Sequence, residues 1–93
     1  MNNNITLVWY VYIVECNDEG KTLYTGITKD IQKRIDKHNK GTGARYTRGR
    51  TPVTLIKSFK RESKSEALKL EYKIKQLSKE EKLSLNDSTI GSI

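Results

Sequence analysis

The stretch Trp9-Tyr10-Val11-Tyr12-Ile13-Val14-Glu15-Cys16-Asn17-Asp18-Glu19-Gly20-Lys21-Thr22-Leu23-Tyr24-Thr25-Gly26-Ile27-Thr28 decides the fold. Trp9 to Cys16 is dense in aromatic and β-branched residues, which predicts a strand. Both of its faces are apolar: Trp9, Val11 and Ile13 on one, Tyr10, Tyr12 and Val14 on the other. That pattern belongs to a central strand covered on both sides. Asn17-Asp18-Glu19-Gly20 reads as a hairpin turn, with glycine where a positive φ is needed, and Leu23 to Thr28 as the returning strand. Turn length sets where Tyr12 and Tyr24 point. Pairing of Cys16 with Gly20 puts them directly opposite, and pairing of Asn17 with Lys21 makes them diagonal neighbours. Either way they share a face, whereas a one-residue slip separates them. A shared face is expected; ordinary cross-strand aromatic packing is the plainer use of such a pair.

Beyond the hairpin, Asp30 can cap a helix running to about Asn39, with Gly41 just past its end. Ile31 and Ile35 form its apolar stripe, and Arg34 and His38, four apart, share the face that borders it. Taken singly, Arg34 suits a snorkelling surface cation and His38 a residue favoured by the helix dipole. Gly41 to Thr51 reads as a loop. Its Arg45, Tyr46, Arg48 and Arg50 suit phosphate contact and base stacking. Pro52 opens a third strand, Val53 to Lys60, in which Val53, Leu55, Lys57 and Phe59 alternate with Thr54, Ile56 and Ser58.

Ser63-Lys64-Ser65-Glu66 fits a capping box for a helix running to about Leu77, with Ala67, Leu70, Ile74 and Leu77 as its buried stripe. Glu71 borders that stripe. An acid there must be paired or hold a cation; Lys75 and Lys79 are at helical spacing from it. Lys79 to Leu85 predicts a further helical turn.

At 93 residues the chain is expected to be a single domain over 1–93, its core at about 9–85, with 1–6 and 86–93 frayed. The net charge is +7. It is concentrated: Lys29 to Arg61 holds eleven Lys/Arg and two Asp, and the rest of the chain is net negative. Such a local field attracts polyanions, of which nucleic acid is the usual one, though a solvated basic face has the same composition. The single Cys16 excludes an internal disulfide and reads as a small interior residue; no Cys/His spacing suggests structural zinc. Met1-Asn2-Asn3-Asn4 lacks the charged opening of a signal peptide, and the apolar run Ile5 to Val14 is half the length that spans a bilayer. A cytoplasmic protein with no membrane partner is expected.

The ordered set Val11-Tyr12-Ile13, Tyr24-Thr25-Gly26, Arg34, His38 and Glu71 resembles the GIY-YIG nuclease superfamily. The match runs from Trp9 to about Leu85 and is closest to its small stand-alone bacterial branch. Tyr24-Thr25-Gly26-Ile27-Thr28, His38-Asn39, Ala44-Arg45-Tyr46-Thr47 before Pro52, and the Glu71…Lys75 spacing support that branch. Val11 stands where the first motif has glycine and Thr25 where the second has isoleucine; Asn86 corresponds only loosely to a late asparagine of some members.

The resemblance implies an α+β fold, a three-stranded antiparallel sheet flanked by helices in the order β-β-α-β-α(-α). It also implies metal-dependent endonuclease cleavage of DNA or RNA. It assigns Tyr12, Tyr24, Arg34 and His38 as catalytic and Glu71 as the ligand of one Mg²⁺ or Mn²⁺. Lys33, Lys37, Arg45, Tyr46, Arg48 and Arg50 are the expected nucleic-acid contacts. A phenolate from Tyr12 or Tyr24 would take the proton of the attacking water, with His38 as relay. The alternatives are a non-catalytic nucleic-acid-binding module and an interaction protein whose basic face meets an acidic one. A surface this small favours structure-guided binding, or targeting by a partner protein or weak homodimer.

Overall fold

Strand β1 (Trp9–Glu15) lies between β2 (Leu23–Thr28) and β3 (Thr54–Arg61) and runs antiparallel to both in a computed structural model that describes residues 8–93. Helix α1 (Ile31–Asn39) follows β2; helices α2 (Lys64–Lys75) and α3 (Lys79–Leu83) follow β3. The α+β architecture and its order are those expected. The expectation for residues 1–6 lies outside the described residues.

The two-sided apolar pattern of β1 gives it two cores. Val11 and Ile13 pack with Phe59 and with Ala67, Leu70 and Ile74 of α2. Tyr12 and Val14 face the other way, with Cys16, Val53, Tyr24 and Ile35 of α1. The hairpin register pairs Tyr12 with Gly26 and Val14 with Tyr24. This is the diagonal arrangement, and it places both tyrosines on the α1 side. The positive φ of the turn falls at Lys21 (φ 49°) rather than at Gly20. Asp18 is the cause: its carboxylate accepts from Thr22 N at 2.8 Å and Thr22 Oγ1 at 2.7 Å, closing the turn around Lys21.

Helix α1 starts as expected, with Asp30 accepting from Lys33 N, and Gly41 just past its end adopts φ +81°. Three other expectations need correction. In β3 the simple alternation fails, because Ile13 pairs with Lys57 but Val14 with Leu55. This bulge at Ile56 re-aims the strand. Phe59 and Ile56 serve the α2 core, Val53 serves the α1 core, and Leu55 is left exposed.

At α2, Ser63 caps Glu66 N, but the Glu66 carboxylate pairs with Lys69 at 3.6 Å. The reciprocal capping box belongs instead to Ser78 and Glu81, which start α3 and so end α2 before Leu77. The segment from Asn86 to Ile93 is folded back. Asn86 Oδ1 accepts from Ser88 N and Thr89 N, and a 3₁₀ turn (Ile90–Ser92) seats Ile90 and Ile93 on the α2 core. Two isolated isoleucines in a polar tail are enough to anchor it, since each removes apolar surface from water. Among the described residues no helix is long and apolar enough to cross a membrane.

Candidate active site

The α1 side of β1 carries one tyrosine that is enclosed and β2 one that is not. Tyr12 is 1% exposed, its ring laid over Gly26 on the adjacent strand. Its hydroxyl lies 2.9 Å from His38 Nε2 and accepts a hydrogen bond from Arg34 Nε at 3.2 Å. The helical spacing of Arg34 and His38 is what brings both to one oxygen. Tyr24 is half-buried, with its ring centroid 6.4 Å from that of Tyr12 and 5.4 Å from that of His38. Its phenol also neighbours the Arg34 guanidinium. Thus Tyr12, Tyr24, Arg34 and His38 form a single cluster.

The far side of His38 is built by the loop. His38 Nδ1 lies 2.7 Å from Thr47 Oγ1, and the Thr47 hydroxyl donates to Ala44 O at 2.9 Å. Both His38 and Thr47 are fully buried. Gly43 passes so close that a Cβ there would stand 2.7 Å from His38 Nδ1. Neither Thr47 nor Gly43 was singled out by sequence, since a threonine and a glycine in a Gly/Thr/Arg loop carry no distinguishing signal; only the Ala44-Arg45-Tyr46-Thr47 run pointed near them.

The same loop is clasped to the hairpin. Asn17 N donates to Arg50 O at 2.7 Å, and Arg50 Nε lies 3.4 Å from Asp18 Oδ2. Tyr46 stacks on Tyr24 (5.9 Å between centroids, 22° between planes), and the Arg50 guanidinium covers its ring at 4.5 Å. Tyr46 thus already has Tyr24 and Arg50 as ring neighbours, while remaining 43% exposed. Arg45 and Arg48 are exposed with no ion pair among the described residues. Lys33 and Lys37 are also exposed, and they line an open cleft of about 280 Å³ with Thr28, Lys29, Asp30 and Arg34. Lys29, at the start of the basic segment, adds a further cation to this cleft.

Burial governs the electrostatics. It lowers the His38 pKa, and the neighbouring Arg34 charge lowers it further, so the imidazole is neutral at pH 7. Burial raises the Tyr12 pKa and outweighs the Arg34 hydrogen bond and charge, which act the other way. A guanidinium beside a phenol favours phenolate; at Tyr12 desolvation wins. Arg34 is held more firmly charged, chiefly by its bond to Tyr12.

Glu71 sits on α2, the helix of the other core. Its side chain is 18% exposed, and Lys75 Nζ lies 3.4 Å from its Oε2. Its negative charge is nonetheless felt at the Tyr12 phenol, as the smallest of the influences acting there. Among the described residues no three His, Cys, Asp or Glu side chains could jointly hold a metal. A lone hard carboxylate suits a hydrated Mg²⁺ or Mn²⁺ completed by water and substrate oxygens, and no softer or more fully caged ion.

Residues 8–84 match the family model described as the GIY-YIG catalytic domain. The chain belongs to the GIY-YIG family. A UPF0213 protein of Halobacterium salinarum is 55% identical over 82% of this chain and 96% of its own length. UPF0213 proteins of Staphylococcus saprophyticus (55%) and Staphylococcus aureus (51%) match 82% of this chain and 90% of theirs. The solution NMR structure of a UPF0213 protein from Bacillus halodurans is 40% identical, covers 91% of this chain and 94% of its own, and superposes with a TM-score of 0.50. GIY-YIG is a nuclease family, so the cluster around Tyr12 lies in a nuclease-type domain.

Proposed function

We propose that this GIY-YIG protein is a divalent-metal-dependent endonuclease that hydrolyses phosphodiester bonds in DNA or RNA. One observation supports it most: Arg34 and His38 converge on the Tyr12 hydroxyl, with Tyr24 beside all three.

Arg34 uses Nε to hold Tyr12, which leaves its terminal nitrogens for the non-bridging oxygens of a phosphate. Tyr12 is enclosed and stays protonated, so it orients rather than reacts. Tyr24 is the phenol within reach of water. In its phenolate form it accepts a proton from the attacking water as that oxygen bonds to phosphorus and the bond to the leaving oxygen breaks. Glu71 would hold Mg²⁺ or Mn²⁺, and the ion would supply charge stabilisation at the leaving oxygen. Lys29, Lys33 and Lys37, along the cleft beside Arg34, would follow the flanking phosphates.

The test is cleavage of branched DNA, single-stranded DNA and RNA with Mg²⁺ or Mn²⁺. Wild type should cut. Glu71→Ala should bind without cutting, and Arg34→Ala should lose roughly 10²–10³ in rate, by analogy with removal of one electrostatic stabiliser. Salt-dependent binding by wild type with no products under any of these conditions would identify a binding module instead.

A further inference from the structure

We propose that Thr47 is a positioning residue that fixes the His38 tautomer and, through His38 and Tyr12, the direction in which Arg34 is held. The inference rests on Arg34 being the group that braces the phosphate.

Each link of the buried chain has one proton to place. The Thr47 hydroxyl donates to Ala44 O at 2.9 Å, an oxygen that can only accept and that also takes Thr47 N–H at 3.1 Å. Thr47 Oγ1 then has only lone pairs to offer His38 Nδ1 at 2.7 Å, which makes Nδ1 the protonated nitrogen. A neutral imidazole with Nδ1–H presents a lone pair at Nε2. Tyr12 therefore donates its proton to Nε2 at 2.9 Å, and its oxygen lone pairs are left for Arg34 Nε–H at 3.2 Å.

The other end of the chain demands the same direction. Arg34 can only donate, so Tyr12 must accept there. With Nε2–H instead, Tyr12 would accept from both sides, and among the described residues nothing else is placed to take its own proton. All four donors thus run one way, from guanidinium to a main-chain carbonyl. Gly43 lies against the imidazole, and a Cβ there would stand 2.7 Å from Nδ1.

The experiment is ¹⁵N–¹H NMR of the full chain, following the His38 ring nitrogens and exchange of Arg34 Nε–H. Wild type should show protonated Nδ1, unprotonated Nε2 and slow Arg34 Nε–H exchange. Thr47→Val should admit the Nε2–H tautomer and speed that exchange. It should also lower kcat by roughly 10–100-fold with KM little changed, by analogy with outer partners that orient a metal-bound imidazole. Thr47→Ser should restore all three.

Nε2–H in wild type overturns the proposal. So does a folded Thr47→Val that keeps both the tautomer and the slow exchange. Should Thr47→Val not fold, the wild-type tautomer and the Thr47→Ser spectrum decide alone. Wild type with the expected tautomer but no cleavage leaves the hydrogen-bond chain standing and overturns only the nuclease reading.

Discussion

Gly26 pairs with Tyr12 across the β1–β2 ladder, and the Tyr12 ring fills the space where a Gly26 side chain would stand. A Cβ at Gly26 would lie 2.6 Å from the Tyr12 oxygen and 2.8 Å from Cζ. The ring cannot yield cheaply, because it is enclosed and held by His38 and Arg34. Gly26→Ala is expected to destabilise the fold by about 2 kcal/mol, as overpacking does, and to depress cleavage through displaced Arg34. Urea unfolding midpoints and single-turnover rates check both effects.

Acid should weaken the fold first through His38. Its pKa in the folded state lies below the ordinary 6.5 because it is buried beside Arg34. The unfolded chain therefore binds the extra proton, and stability falls as pH drops from about 6.5 towards the folded-state pKa, by at most about 1.4 kcal/mol per pH unit. Asp18 acts in a separate window. Thr22 holds its pKa below 3.8, so its contribution is present above that value and is lost as pH falls further. Urea titrations between pH 7.5 and 5 should show a decline in wild type that His38→Gln flattens.

Charge removal should sort the basic residues into two groups. Lys33→Ala and Arg48→Ala should each lower the salt slope of nucleic-acid binding by about 1. Arg50→Ala should leave the slope nearly unchanged and cost about 1 kcal/mol of stability, since Arg50 is committed to Asp18 and to the Tyr46 ring. Fluorescence anisotropy against salt, with urea melts, separates the two outcomes.

The strands, α1 and the shared face of the tyrosines were legible because runs of aromatic and β-branched residues, an Asp N-cap and a following glycine are local signals. So was the convergence of Arg34 and His38, which follows from helical spacing. The rest depends on contacts between distant segments. The bulge at Ile56 exists because β3 must feed two cores, which no alternation within β3 reveals. The tail is ordered by Ile90 meeting α2, an event of tertiary packing. Thr47 matters only because the loop returns to His38, nine residues away in sequence. That Tyr46 has Tyr24 and Arg50 as ring neighbours is likewise invisible in the sequence, because they come from distant segments and from a folded loop.

The clasp of Arg50 onto Asn17 and Asp18 has a consequence for engineering. A tight turn at the tip of a hairpin ordinarily tolerates inserted residues or a grafted peptide. Here the tip anchors the segment that carries Thr47, so lengthening it would slacken the mooring and be felt at the imidazole. Tags and linkers belong elsewhere on this molecule, away from this tip and from Lys79, whose Nζ donates to Gly20 O at 2.8 Å.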